Sequence, residues 1–362
     1  MNINIGVDLH KTQFTTYFRT GTDRYKEYAT NTHGYQSFLL HVKTLRKEGH
    51  RVRVGVESTG NTRFFKNCLE REGIEVKVIN TSKFKVINES VKKTDRHDAS
   101  TISEFLEKDM LPEARLCSEK SEELRRLLKV RKTLVRTIVT VKNQIHGLLT
   151  GLGMEDIRGS LQSKRGRQAV LDALCVTVNG LVVQPLFEII NRFQEDVKKI
   201  EKQLEELTCQ DPVVKILLTI PGCGPITAWT IRAFTDDIKR FSEHKKYSSY
   251  AGLVPWVQCS NMTSNYGRIT KRGPEELRTA LVQLVMGMNR SRMTRDYRVM
   301  IQYRAMKKRK GSGKSIIAIA RKLSKIIWFM LTYNKPFNPE LMFDMNLNDK
   351  ADDMRSAIIK SA

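Results

Sequence analysis

The chain has 362 residues, which is enough for two or three domains. Its 63 lysines and arginines exceed its 39 acids, and the net charge of +24 favours a polyanionic partner such as nucleic acid over a merely soluble basic protein. The sequence contains no run of about 18 apolar residues, so it predicts no membrane span. The six cysteines are scattered and form no CxxC pair, so they indicate neither a zinc site nor a disulfide framework. We therefore expect a reduced, cytoplasmic protein.

The N-terminal third alternates between short β-branched segments and amphipathic segments. The patterns predict the order βββαβαβα. Strands are predicted over residues 3–9, 13–20, 25–30, 51–57 and 75–80. Helices are predicted over residues 34–47 and 61–72, and from 95 onward.

Four acids fall where these elements end or begin: Asp8 and Glu57 close two strands, and Asp95 and Asp98 follow a predicted N-cap, Thr94. We name these four acids the acidic tetrad. Strand ends are where α/β sheets place their sites, and helical residues three apart share a face. Clustered carboxylates repel unless a cation or proton lies between them, and hard oxygen ligands suit Mg²⁺ or Mn²⁺. An acidic first turn favoured by the helix dipole is the alternative for the helical pair.

Three motifs carry a family resemblance: GVDLHK at residues 6–11, VESTG at 56–60 and TDRHDA at 94–99. They resemble the DEDD transposases of the IS110 family of insertion sequences, which are related to the Piv DNA invertases. The resemblance implies an RNase H-like (RuvC-type) N-terminal domain in which the acidic tetrad binds Mg²⁺ or Mn²⁺ and is catalytic. In that setting we interpret His10 and His97 as flanking polar residues and not as metal ligands.

The middle of the chain is predicted to form two long helices with apolar residues at three-four spacing. Ser121 is the predicted N-cap of the first, which ends near Gly151, and the second is predicted from about Pro185 to Leu207. We interpret them as an antiparallel coiled coil or a dimerisation arm. The first helix is unevenly basic, which fits either a solvated face or a nucleic-acid contact.

A glycine-containing turn, LLTIPGCGPITA at residues 217–228, resembles a helix-hairpin-helix turn. Gly222 and Gly224 would let a phosphate approach the backbone beside the free N–H groups of the next helix. An ordinary tight turn between helices is the alternative.

Two further motifs, AGLVP at residues 251–255 and GRITKRG at 267–273, resemble the C-terminal domain of the same family. The family's catalytic serine lies five residues past the proline, so the resemblance identifies Ser260 as a nucleophile that forms a phosphoserine with DNA. Many relatives have Ser-Gly there, whereas this chain has Ser-Asn, and Ser264 is therefore the alternative nucleophile.

Several basic residues are predicted to bind nucleic acid. The densest basic cluster, KKRKGSGK at residues 307–314, hints at a P-loop, but Lys308 stands where glycine is required, and nucleotide binding is rejected. Together with the two glycines above, the predicted nucleic-acid-binding residues are Lys11, Arg268, Lys271, Arg272, Lys307, Lys308, Arg309 and Lys310.

We predict an α/β RNase H-like domain over residues 1–115, a coiled-coil arm over 116–210, a mainly helical C-terminal transposase domain over 211–336, and a partly disordered tail over 337–362. The resemblance implies a prokaryotic, nucleoid-associated insertion-sequence transposase that recombines DNA. Its implied partners are donor DNA, target DNA, a structured bridge RNA and further copies of itself in a dimer or tetramer. The alternative function is a metal-dependent, RuvC-like junction nuclease without a covalent intermediate.

Overall fold

The chain is described here by a computed structural model that falls into two compact units, Met1–Cys117 and Ser118–Ala362. The structure describes residues 1–21, 23–81, 83–84, 94–154, 161–174, 178–260 and 263–339, with the backbone alone at residues 258–260, 263, 264 and 266. Most of the predicted tail, residues 340–362, lies outside the described residues.

The N-terminal unit confirms the predicted order βββαβαβα within its described residues. The strands are β1 Asn2–Leu9, β2 Gln13–Arg19, β3 Arg24–Ala29, β4 Arg51–Glu57 and β5 Glu75–Ile79. The helices are α1 Thr32–Lys47, α2 Thr62–Glu70 and α3 Asp95–Glu107.

The five strands form one mixed sheet in the order β3-β2-β1-β4-β5. Strands β1, β2 and β3 pair antiparallel, whereas β4 runs parallel to both β1 and β5. This arrangement is consistent with the predicted RNase H-like fold. One sheet face packs against α1 and α2 through an aromatic cluster that includes Phe14, Phe38 and Phe65.

Helix α3 crosses the sheet at very short range because β1 and β4 carry glycines at the crossing. Gly6 and Gly55 are register partners, and a Cβ atom added to Gly6 would lie 2.0 Å from the Ala99 carbonyl oxygen. The apolar stripe of α3, with Ala99, Ile102 and Leu106, is buried against this face. The close approach positions the N-terminal turn of α3 over the ends of β1 and β4.

The C-terminal unit is mainly helical. Its helices are α4 Glu119–Gly151, α5 Lys164–Leu174, α6 Val178–Thr208, α7 Pro212–Leu218, α8 Pro225–Thr235, α9 His244–Tyr250, α10 Glu275–Arg290, α11 Arg298–Lys310 and α12 Ser312–Thr332. A two-stranded hairpin, β6 Pro255–Ser260 and β7 Thr263–Ile269, lies between α9 and α10. In the described ranges, no helix has the length and apolar character that crossing a membrane requires.

The two long helices, α4 and α6, pack against each other along their length. Leu124 shares a core with Leu204, Arg131 bonds Glu201 at 2.7 Å, and Ile145 shares a second core with Phe187. As the residue numbers rise along α4, the numbers of their partners on α6 fall. The two helices therefore run antiparallel within one chain.

Two predicted helix boundaries in this region are wrong. The N-cap of α4 is Ser118, whose hydroxyl accepts from the Ser121 N–H at 3.2 Å, and Ser121 is buried inside the first turn. Helix α6 continues through Pro185 and includes Val178. A proline removes only one backbone hydrogen bond, and the buried Val183 and Phe187 on either side keep the segment packed.

The remaining helices, α7 to α12, enclose the largest apolar core of the described chain. Leu281, Ile319 and Ile327 are fully buried there. The core extends to Phe337, whose backbone N–H donates to Thr219 Oγ1 at 2.8 Å. The chain is therefore packed one residue beyond the predicted end of the C-terminal domain.

Candidate active site

The two strand-end acids lie side by side at one edge of the sheet. Val7 pairs with Val56 in the parallel register of β1 and β4, so Asp8 and Glu57 are the next residues on each strand. Since side chains alternate along a strand, both acids share the sheet face of Gly6 and therefore of α3. Asp8 is only 3% exposed and Glu57 is half-buried.

The helical pair of acids starts α3 as predicted. The Thr94 hydroxyl accepts from the His97 N–H at 3.2 Å, which confirms the predicted N-cap. Asp95 and Asp98 occupy the first turn and are half-buried. A capped start fixes where this turn lies, because it removes the fraying that uncapped helix ends show.

Three potential ligand atoms converge at this point. His10 Nε2 lies 3.0 Å from Asp8 Oδ2 and 3.7 Å from Asp95 Oδ1, and the three ligand atoms lie within 4.8 Å of one another. Of the described residues, this group includes neither Glu57 nor Asp98. The structure thus brings two members of the acidic tetrad together and adds a histidine that we had interpreted as flanking.

The electrostatic state of Asp8 reflects its surroundings. Burial raises the pKa of Asp8 to about 6, against the opposing charge and hydrogen bond of His10, and the negative charges of Glu57 and Asp95 raise it further. No lysine or arginine is among the described groups that shift this pKa. A buried carboxylate that lies near other acids is costly to ionise unless a cation compensates its charge.

A divalent metal ion fits these residues. Oxygen ligands dominate, and the three donor atoms are close enough to share one ion. Thr15 is the cross-strand partner of Asp8, and its hydroxyl is buried with no hydrogen-bond partner in the described chain. Because buried hydroxyls are normally satisfied, a water of a hydrated ion would suit this position. Mg²⁺ and Mn²⁺ both match such ligands.

The acidic site opens into a cleft of about 460 Å³. It is lined by residues of the β1–β2 turn and the start of α3, namely His10, Lys11, Thr12, Gln13 and Asp95. The predicted nucleic-acid-binding residue Lys11 is exposed at this cleft. A phosphate approaching the acids would therefore meet a positive charge beside them.

The glycine turn between α7 and α8 has a structural reason for its first glycine. Gly222 has φ of +86°, and an added Cβ would lie 2.5 Å from the backbone of Gly287 in α10. Gly224 is the N-cap residue of α8, and nothing lies within 4 Å of the Cβ position there. The close packing of Gly222 against Gly287 supports the alternative of an ordinary tight turn. The backbone at Gly224 is not covered in this way.

The two C-terminal motifs pack directly against each other. The Thr270 N–H donates to the Val254 carbonyl at 2.9 Å, and the Lys271 N–H donates to the Gly252 carbonyl at 3.2 Å. Gly273 has φ of +92°, and a Cβ there would lie 1.9 Å from the Tyr250 carbonyl oxygen. At Gly252, φ is +70° and an added Cβ would lie 2.5 Å from the Arg272 carbonyl oxygen, so each motif has a glycine that the packing requires.

The candidate nucleophiles lie on the hairpin that separates these motifs. Ser260 is the last residue of β6 and pairs with Thr263, and Ser264 pairs with Cys259. Their side chains lie outside the described part of the structure. The sequence pattern does not predict these two strands, because the segment has little of the alternation that marks a half-buried strand.

The hairpin and the last turn of α11 carry exposed basic residues. Arg268, Lys271 and Arg272 are exposed, as are all four residues from Lys307 to Lys310. Trp256, which no motif singles out, is 51% exposed on β6 and packs against Gly267. An exposed tryptophan among cations is typical of surfaces on which bases stack.

Comparison with known proteins gives matches to transposases over most of the chain. Residues 5–154 match a DEDD transposase family described as "Transposase", and residues 214–300 match the family described as "Transposase IS116/IS110/IS902 family". The first match contains the acidic tetrad, and the second contains the glycine turn, the hairpin and both candidate serines.

Individual relatives are distant but extend over the same region. A probable family 20 transposase of Pseudomonas aeruginosa is 24% identical over 352 residues, which cover 94% of this chain and 100% of the relative. The transposase for insertion sequence element IS1111A of Coxiella burnetii is 26% identical, covering 78% of this chain and 79% of the relative. The pilin gene-inverting protein of Moraxella lacunata is 24% identical, covering 93% and 98%.

Proposed function

We propose that this chain acts as a transposase of the IS110/IS116/IS902 family, enzymes that catalyse DNA cleavage and strand transfer. In this proposal it recombines DNA with a divalent metal ion and a serine nucleophile. The observation that carries the metal half is the buried Asp8 carboxylate, whose ligand atom lies within 4.8 Å of those of His10 and Asp95. No lysine or arginine is among the described groups that shift its pKa. The serine half rests on the motifs at residues 251–255 and 267–273, whose resemblance to the family's C-terminal domain identifies Ser260.

The acidic tetrad is the proposed metal-binding set, with Mg²⁺ or Mn²⁺ as the ion. When bound, such an ion would polarise a phosphate of the DNA. Asp8 supplies a carboxylate in a fixed position, because β1 is paired on both sides and Gly6 allows α3 to approach. Glu57 and Asp98 supply further negative charge from β4 and α3. Lys11 at the cleft binds the DNA backbone next to these acids.

Ser260 is the proposed nucleophile. Its Oγ forms a bond to the phosphorus, the phosphorus–oxygen bond to the departing sugar breaks, the serine proton passes to a base, and the departing oxygen takes up a proton. A sugar hydroxyl of the other DNA segment then attacks the phosphoserine, and Ser260 is released with its proton restored. The step conserves one phosphodiester bond and needs no external energy source.

The basic surfaces are the proposed contacts for donor DNA, target DNA and a structured bridge RNA. The exposed cations of the hairpin and of α11 support this, as does the net charge of +24. Gly224 at the open start of α8 offers backbone N–H groups to a phosphate. Because two DNA segments must be held during exchange, we propose a dimer or tetramer of this chain.

A suicide-substrate assay tests the proposed chemistry. Junction DNA of the element is incubated with the full chain and Mg²⁺, with and without the RNA transcribed beside the gene, and covalent protein–DNA adducts are separated in denaturing gels. We expect an adduct with the unmodified chain and with the matched control Ser264→Ala, and none with Ser260→Ala or Asp8→Ala. DNA cleavage without an adduct by the unmodified chain and by both serine variants, but not by Asp8→Ala, would instead support the RuvC-like nuclease.

A further inference from the structure

The ring of His10 occupies a position that suits a metal ligand. Its Nε2 atom lies 3.0 Å from Asp8 Oδ2 and 3.7 Å from Asp95 Oδ1. Adjacent ligands of an octahedral ion bound at about 2.1 Å are roughly 3 Å apart, and opposite ligands are roughly 4 Å apart. Both distances from His10 Nε2 therefore fall within the range spanned by adjacent and opposite ligands of one ion.

Hydrogen bonds fix the main chain from which this ring projects. The His10 N–H donates to the Gln13 carbonyl at 3.0 Å, and the His10 carbonyl accepts from the Thr30 hydroxyl at 2.9 Å. A third bond, from the Thr30 N–H to the Thr12 carbonyl, ties the same turn to the end of β3. The main chain at His10 is thus bonded on both sides, while its side chain stays 52% exposed and open to the cleft.

The chemistry of an imidazole differs from that of the acids around it. A neutral histidine offers one nitrogen lone pair and is the commonest metal ligand among side chains. Carboxylates and water suit Mg²⁺, whereas an imidazole nitrogen strengthens binding of transition metals, including Mn²⁺, relative to Mg²⁺. A site that combines Asp8, His10 and Asp95 has mixed nitrogen and oxygen ligands.

We propose that His10 is a nitrogen ligand of the divalent ion and gives one metal position a preference for Mn²⁺ over Mg²⁺. The inference rests on the proposed function, because it concerns the ion that the acidic tetrad is proposed to bind. It adds a ligand outside the tetrad and predicts which of the two ions the site selects.

Electron paramagnetic resonance of Mn²⁺ bound to the full chain, without nucleic acid, tests the proposal directly. Electron spin-echo modulation detects a directly coordinated imidazole nitrogen. We expect nitrogen modulation in the unmodified chain and in His97→Ala, the matched control for the other histidine beside the acids. We expect His10→Ala to lose the modulation, to bind Mn²⁺ at least tenfold more weakly, and to discriminate less between Mn²⁺ and Mg²⁺ in competition.

The possible failures are distinguishable. Tightly bound Mn²⁺ without nitrogen modulation in the unmodified chain would overturn the role of His10 and leave the acidic metal site standing. No bound Mn²⁺ in the unmodified chain would overturn the metal site and with it this inference. Because the spectrum of the unmodified chain decides between these results, the test does not depend on the folding of His10→Ala.

Discussion

Asp8 in the N-terminal unit and Asp211 in the C-terminal unit are buried to the same degree, at 3% and 4% exposure, yet their surroundings are opposite. Asp211 Oδ2 accepts from Lys120 Nζ and Arg232 Nε, each at 2.9 Å, and Asp211 also caps α7. Asp8 Oδ2 lies 3.0 Å from His10 Nε2, and the charges of Glu57 and Asp95 raise the pKa of Asp8.

The pKa values of the two acids shift in opposite directions for this reason. Burial alone would raise the pKa of Asp211, but the hydrogen bond from Lys120 and the charge of Arg232 outweigh it and lower that pKa. At Asp8, burial dominates and raises the pKa to about 6. The negative charge of Asp211 is therefore compensated by its own cations, whereas Asp8, which lies among acids, is the residue that we propose to bind a cation.

The largest expected effect comes from removing a cation from Asp211. Arg232→Met leaves a buried carboxylate with one fewer partner, and we expect the free energy of unfolding to fall by about 3–5 kcal/mol. Urea denaturation at pH 7 measures this. The double variant Asp211→Asn/Arg232→Met should recover part of the loss, because it leaves no buried charge. A loss below about 1 kcal/mol for Arg232→Met would show that Asp211 is not held by this pair.

Removing the carboxylate of Asp8 should increase stability. Asp8→Asn removes a carboxylate that burial penalises, and the shift from 3.8 to about 6 corresponds to roughly 3 kcal/mol. In a chelator at pH 7 we expect this variant to unfold at higher urea concentration than the unmodified chain. A variant less stable than the unmodified chain would contradict the assigned environment of Asp8.

The pH dependence of that difference follows from linkage. The folded-state pKa of Asp8 is raised, so its contribution is most favourable at low pH, falls as the pH rises from 3.8 to about 6, and is constant above. The stability gain of Asp8→Asn should therefore grow across this window and then level off. Asp211 behaves conversely, since its lowered pKa gives stability that is lost as the pH falls below 3.8.

A packing variant tests whether the position of α3 creates the acidic site. Gly6→Ala forces the Ala99 carbonyl away from β1, and we expect a loss of about 1–3 kcal/mol in unfolding free energy together with weaker Mn²⁺ binding. Gly147→Ala, where nothing lies within 4 Å of the added methyl, is the control and should leave Mn²⁺ binding unchanged. Unchanged Mn²⁺ affinity in Gly6→Ala would separate the site from this crossing.

The smallest expected effect concerns the exposed basic turn of α11. Lys308→Gln should weaken binding to nucleic acids of any sequence and reduce the slope of log K against log salt by about 1. Filter binding over a salt series measures the slope. Lys199→Gln, at an exposed lysine that pairs with Asp196, serves as the control for loss of one charge. Equal slopes for both variants would place the nucleic acid elsewhere.

Much of the N-terminal unit could be predicted because local patterns decide it. The alternation of RVRVGVE marks a strand from Arg51 to Glu57, and the structure has those bounds. The Thr94 cap follows from residue type and from the acids after it. The strand-end acids follow from the rule that sites lie at strand ends, which needs no knowledge of the tertiary structure.

The remaining features depend on specific contacts that no local sequence pattern reveals. Ser118 and Ser121 are equally good caps by type, and both hydroxyls donate to Oδ1 of Asp236, a distant residue that no local pattern connects to this helix start. The place of His10 depends on bonds to Gln13 and Thr30. No periodicity reports such bonds, so the histidine in the acidic site could not be distinguished from a flanking one.

The most direct test is calorimetric titration of Mn²⁺ into three proteins at pH 7: the unmodified chain, Asp8→Asn and Asp211→Asn. If the buried acid of the N-terminal unit is a cation site and that of the C-terminal unit is structural, the unmodified chain and Asp211→Asn bind Mn²⁺ and Asp8→Asn does not. Equal Mn²⁺ binding by all three proteins would contradict the assignment of the acidic site.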